Sequence, residues 1–137
     1  LGVGGVDTHR FSLDDMVLIK DNHIAVCGDP LDALLKAKEN TSFSKKIEIE
    51  VESLEDAVEC VRNGADIVML DNMSGDEVKE VIDELNRLDI RQNSLIEVSG
   101  GITKENIMDY VEYGVDIISI GALTHSSRSL NFSLKIE

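Results

Sequence analysis

Proline occurs once, at Pro30, and no Ser- or Gly-rich stretch interrupts the 137 residues. Nothing in the chain therefore reads as a flexible linker, and a single domain is expected. Cysteine is almost as scarce. Cys27 and Cys60 stand far apart with no CxxC spacing, which excludes a disulfide scaffold, argues against a structural zinc site and fits reduced thiols. No apolar run approaches the ~20 residues that span a bilayer, and Leu1 opens no basic-then-apolar leader, so the expected location is the cytoplasm, with no membrane partner. Cations are also in short supply: 27 acidic residues face 13 basic ones, a formal charge of −14. Such a chain repels phosphate backbones at long range, and nucleic acid is not an expected partner. What remains is 42% apolar and 29% charged residues, the composition of a globular domain and not of a disordered or collagenous chain.

The patterning alternates short β-branched runs with segments of helical period. Strands are expected at Met16 to Lys20, Ile47 to Val51, Ile67 to Leu70, Leu95 to Val98, Ile117 to Ile120 and Phe132 to Ile136. Between them, Asp29-Pro30 opens a helix carrying Leu31, Leu34 and Leu35, and Ser53 caps one that carries Leu54, Ala57, Val58 and Val61. Ser74 and Glu77 form a capping-box pattern ahead of Val78, Val81, Ile82, Leu85 and Leu88. Thr103 is expected to cap a helix that uses Ile107, Tyr110 and Val111 and stops at Gly114. Repeated β/α units imply a parallel sheet covered by helices, either a portion of a (β/α) barrel or a doubly wound sheet. The strands are too few to close an eight-stranded barrel, so the expected fold is α/β, an incomplete or open parallel β/α barrel of the TIM type. An open edge of that kind favours association, and a homo-oligomer is expected.

Polar residues that interrupt this pattern fall where strands end. Lys20-Asp21-Asn22-His23 follows one strand, Glu50 lies late in another, Asp71-Asn72 ends a third, Ser99-Gly100-Gly101 follows a fourth and Gly121-Ala122 a fifth. Ligands of parallel α/β folds bind at that carboxyl edge, so one shared pocket is expected. The two glycine turns suit a phosphate, because small residues let bare backbone N–H groups approach an anion, and His125 follows closely enough to donate to it. Read singly, each is an ordinary tight βα turn. Glu50 and Asp71 could together hold Mg²⁺ or accept from sugar hydroxyls. Spacing does not separate Glu50 from Glu48 and Glu52, which share its face, and Asp71 could equally close an Asx turn. His9, Arg10 and Lys20 could take an anionic substrate or serve in surface ion pairs. His23 reads equally well as a core histidine, and no histidine has a second ligand at metal-binding spacing.

Taken together, Thr8-His9-Arg10, LIKDNH at 18–23, IEVE at 49–52, MLDNM at 69–73, EVSGGIT at 97–103 and GVDIISIGALTHS at 114–126 form an ordered set. The chain resembles quinolinate phosphoribosyltransferase, the carboxylating nicotinate-nucleotide pyrophosphorylase family, over nearly its whole length. The resemblance implies phosphoribose transfer from phosphoribosyl pyrophosphate to quinolinate, with release of CO₂ and pyrophosphate, giving nicotinate mononucleotide for NAD synthesis. It implies that His9, Arg10 and Lys20 meet the quinolinate carboxylates. Glu50 and Asp71 match the acidic residues at the ribose hydroxyls and Mg²⁺, and Ser99, Gly100, Gly101, Gly121 and His125 match the 5-phosphate cradle. Residues 1–137 would correspond to the carboxyl-terminal barrel portion, without the family's amino-terminal domain and its Arg-Lys strand. Basic residues that a dimer partner supplies in the family come from that domain. A non-enzymatic subunit that holds phosphate and Mg²⁺ beside a separate amino-terminal chain is the alternative.

Overall fold

The computed structural model describes residues 16–120. Five strands form one parallel sheet in chain order: β1 (Met16–Ile19), β2 (Lys46–Val51), β3 (Ile67–Asp71), β4 (Leu95–Ser99) and β5 (Ile117–Ser119). A doubly wound sheet reverses its order at a switch point, whereas strands laid down sequentially are the arrangement of a barrel wall. The α/β reading therefore holds as an open five-stranded portion among the described residues. The expected strand at Phe132 to Ile136 lies outside them.

Side-chain alternation divides the sheet into two chemically different faces. Val17, Ile47, Ile49, Val51, Val68, Leu70, Ile96 and Val98 pack with residues of the helices in one core cluster. α2 (Pro30–Asn40) contributes Ala33 and Leu34, α3 (Leu54–Arg62) Ala57, Val58, Cys60 and Val61, and α4 (Gly75–Arg87) Val78, Val81, Ile82 and Leu85. The opposite face carries Glu48, Glu50, Met69, Asp71, Glu97 and Ser99, as the register requires: Glu50 pairs with Met69, Met69 with Glu97, and Asp71 with Ser99. In a barrel wall the helix-free face is the interior.

Local signals explain most helix ends. Asp29 accepts from the Asp32 N–H, Ser53 from the Asp56 N–H and Ser74 from the Glu77 N–H, and the Glu77 carboxylate returns a bond to the Ser74 N–H. Gly114 caps α5 (Ile107–Tyr113) in the left-handed conformation. The segment after β1, to which the sequence assigns no element, forms a short helix, α1 (Asp21–Cys27). Three expectations need correction. α5 begins at Ile107 with Asn106 at its cap, because Thr103 and Asn106 close a separate turn: Asn106 Oδ1 accepts from the Thr103 N–H, and Asn106 Nδ2 donates to the Gly101 carbonyl. Leu35 and Val111, placed on buried stripes, are exposed. Among the described residues, no helix is long and apolar enough to cross a membrane.

Candidate functional site at the carboxyl edge of the sheet

Lys20 follows β1 and Glu50 is the next-to-last residue of β2, and the Ile19–Ile49 register sets them side by side. The Lys20 ammonium donates to Glu50 Oε2 at 3.2 Å, with the lysine side chain half exposed and the glutamate largely covered. One strand further on, Asp71 ends β3 beside Ser99 at the end of β4. Asp71 also acts electrostatically on Glu50. Four of the residues singled out in the sequence thus meet at one edge. His9, Arg10, Gly121 and His125 lie outside the described residues.

Burial pushes the Glu50 carboxyl above its ordinary value, because the charged form loses hydration. The Lys20 hydrogen bond and charge pull it down, while Asp71 and Asp21 push it up again. Desolvation wins, so Glu50 holds its proton more firmly than a solvated glutamate, with a cation already at hand.

Depth separates Glu48 from the other two: it pairs with Ile67, a layer below, and is fully buried, whereas Glu50 near the end of β2 and Glu52 just beyond it line the same cleft. His23 is not a core histidine. It is exposed, and its Nδ1 accepts from the Lys20 N–H at the entry to α1. Lysine carries only donors at its tip, so this is half of a capping box with no return bond.

The glycine turn departs from the expected cradle in two ways. Gly100 and Gly101 both adopt positive φ, +80° and +63°, but no helix follows them directly. A Cβ on Gly100 would lie 2.3 Å from Asn72 Oδ1, whereas one on Gly101 would meet nothing within 4 Å. Of the two, Gly101 has the open backbone that an anion can approach. The expected single pocket is also divided. Glu50, Asp21 and Asp56 line a cleft of about 370 Å³, while Asn72, Gly100, Gly101 and Tyr110 line another of about 400 Å³. Asp71 and Ser99 end the two strands, β3 and β4, whose following loops line the second cleft.

Glu97 and Ser119 escaped the sequence reading, and Asn72 entered it only as the neighbour of Asp71. Glu97 is fully buried on the interior face, where its Oε1 accepts from Ser119 Oγ at 2.5 Å. Asn72 takes φ 53° and donates from Nδ2 to Asp71 Oδ2 at 2.7 Å. Glu97 stands two residues before Ser99 and Ser119 interrupts an apolar run, signals of an interior polar position that strand alternation alone could have raised. No group of three or more His, Cys, Asp or Glu side chains among the described residues could hold a metal ion by itself.

Comparison with known proteins adds a second line. The family model described as quinolinate phosphoribosyl transferase, C-terminal domain, matches residues 1–135. A probable carboxylating nicotinate-nucleotide pyrophosphorylase of Methanocaldococcus jannaschii is 52% identical over 136 residues, 98% of this chain and 48% of that protein. The carboxylating nicotinate-nucleotide pyrophosphorylase of Rattus norvegicus is 38% identical over 134 residues, 98% of this chain and 44% of its own. The crystal structure of NadC from Streptococcus pyogenes superposes with a TM-score of 0.81 at 42% identity, covering 98% of this chain and 45% of that one. The chain spans about half the length of these relatives.

Proposed function

The chain belongs to the quinolinate phosphoribosyl transferase C-terminal domain family, and from that premise we propose that it forms the barrel portion of an enzyme moving phosphoribose from phosphoribosyl pyrophosphate to quinolinate with loss of CO₂. The observation that carries this reading is the edge itself, where a lysine in contact with a covered glutamate (3.2 Å) stands beside a strand ending in aspartate. Departure of pyrophosphate builds positive charge on the ribose ring, which the Glu50 and Asp71 carboxylates stabilise from fixed positions. Lys20 attracts a quinolinate carboxylate and so orients the ring nitrogen toward the ribose. Its contact with Glu50 keeps that cation in place before substrate arrives. Ser99 and Gly101 offer the 5-phosphate a hydroxyl and an unobstructed backbone.

Two carboxylates on adjacent strands are too few for an all-protein metal cage. They fit Mg²⁺, which keeps waters and is shared with substrate phosphates. Bound there through Glu50 and Asp71, it would supply charge neutralisation for the departing pyrophosphate. We also propose that the assembled protein is a homo-oligomer. A cytoplasmic setting is supported by the free thiols of Cys27 and Cys60.

The test is formation of nicotinate mononucleotide by a chain extended through the half of the relatives' length that these residues do not span. Lys20→Ala and Asp71→Ala should each lower turnover by orders of magnitude while circular dichroism stays unchanged. Near-normal turnover of both variants would overturn the assignment. Tight phosphate and Mg²⁺ binding with no turnover in the extended chain would favour the non-enzymatic subunit.

A further inference from the structure

We propose that Asn72 is a positioning residue for the Asp71 carboxylate, locked by its left-handed backbone and by the absence of a side chain at Gly100. The role has catalytic meaning only through Asp71 and so rests on the reading above. Neighbouring residues of an extended strand point to opposite faces, which would carry the Asn72 side chain away from Asp71. The turn to φ 53° at the strand end brings it back. Asparagine is among the few side chains that accept this conformation readily.

Three contacts then hold the arrangement. The Asn72 backbone N–H donates to the Ser99 carbonyl at 3.0 Å, extending the β3–β4 pairing by one residue. Its side-chain Nδ2 donates to Asp71 Oδ2 at 2.7 Å. An ionised carboxylate only accepts, so the amide must present its nitrogen there and turn its oxygen elsewhere. That oxygen points at Gly100, where any Cβ would lie 2.3 Å from it and 2.8 Å from Asn72 Cγ. A side chain at position 100 and the present orientation of Asn72 exclude each other. With Oδ2 committed to the amide, Asp71 meets its ligand through Oδ1 in one orientation. Glu50 on β2 is the titratable group set against Asp71, with Lys20 behind it, and β4 offers the uncharged Ser99.

Two variants separate this role from mere structure. Asn72→Asp keeps the shape and the left-handed backbone but replaces the donor with a like charge, and Asn72→Gly keeps the backbone while removing the donor. In the 137-residue chain, NMR couplings that report the Asp71 χ1 angle should show one rotamer in the parent and rotamer averaging in Asn72→Asp and in Asn72→Gly. Gly100→Ala should cause the same averaging in the parent chain and add little on top of Asn72→Gly. In the extended chain, kcat should fall about 10- to 100-fold in Asn72→Asp, with the KM for quinolinate within about twofold. A single Asp71 rotamer retained in both Asn72 variants overturns the proposal, as does further loosening of Asp71 when Gly100→Ala is added to Asn72→Gly. Full turnover by Asp71→Asn would instead refute the site reading, leaving the NMR result to judge the hydrogen bond on its own.

Discussion

Glu50 is subject to two opposed pressures, and their balance can be measured. Its carboxyl is pushed above the ordinary value of 4.5 mainly by burial, against the pull of Lys20. In the unfolded chain the group titrates near its ordinary value, so as pH rises from there the unfolded state releases a proton that the folded state retains. Stability therefore falls with rising pH across that interval, and the loss is complete once pH passes the folded value. Glu50→Gln removes the titration and keeps an oxygen for Lys20, whose half-exposed ammonium loses little from the weaker pairing. The variant should show a flatter stability profile from pH 4.5 to neutrality and a melting temperature at pH 7 no lower than the parent, while turnover of the extended chain drops at least about 100-fold. A parent-like slope would show that burial of Glu50 is not what the structure indicates. Lys20, Glu50, Asp71 and Ser99 were legible in the sequence because each sits where an apolar run ends. The depth of Glu48 below Glu50 was not, since a period of two puts both on one face and only the neighbouring strand's register tells their levels apart. Asn72 was hidden for a different reason: its importance lies in a backbone turn and in contact with a glycine from another loop.

Among the elements, two aspartates stitch the amino ends of the strands. Asp66, just before β3, accepts from the Ile47 N–H at 2.8 Å, and Asp116, just before β5, accepts from the Ile96 N–H at 2.7 Å. Each also donates its own N–H to the same partner's carbonyl. The device is written twice in the sequence, as Gly-Ala-Asp-Ile at 64–67 and Gly-Val-Asp-Ile at 114–117. The two differ in one respect: Asp116 also pairs at 2.7 Å with the buried Arg91, which reaches the carbonyls of Gly114 and Ser94. Asp66→Ala should cost about 1 kcal/mol, the value of a lost hydrogen bond. Asp116→Ala should cost about 2–4 kcal/mol, because it leaves a covered guanidinium without its carboxylate. Equal urea midpoints for the two variants would refute the distinction. Helices governed by one local signal, such as the caps at Asp29, Ser53 and Ser74, were readable from spacing. α1 was not, because its seven residues carry neither a periodic stripe nor a buried side chain. The start of α5 was misplaced because Thr103 and Asn106 are both residues that suit a cap, and their mutual hydrogen bond forms a turn first.

Across the whole molecule, sequential strand order and a polar interior face make the five strands a wall whose chemistry points inward, and that wall is strongly acidic. The formal charge is −14, yet the proposed substrates are themselves anions: quinolinate carries two carboxylates and phosphoribosyl pyrophosphate several more negative charges. Lys20, already paired with Glu50, cannot balance them even with His9 and Arg10 added. An uncompensated anion in a partly desolvated site costs several kcal/mol, and each ~1.4 kcal/mol added to the barrier slows turnover tenfold. On this count we expect the remaining positive charge to come from outside these 137 residues. The chain alone, supplied with quinolinate, phosphoribosyl pyrophosphate and Mg²⁺, should form no measurable nicotinate mononucleotide. Adding, as a separate polypeptide, the half of the relatives' length that it does not span should restore turnover, with a rate that falls as ionic strength rises because the missing contribution is electrostatic. Analytical sedimentation of the mixture should show the two polypeptides moving together. Robust product formation by the 137-residue chain on its own would mean that the acidic wall neutralises its substrates by some other route, and the charge argument would fail.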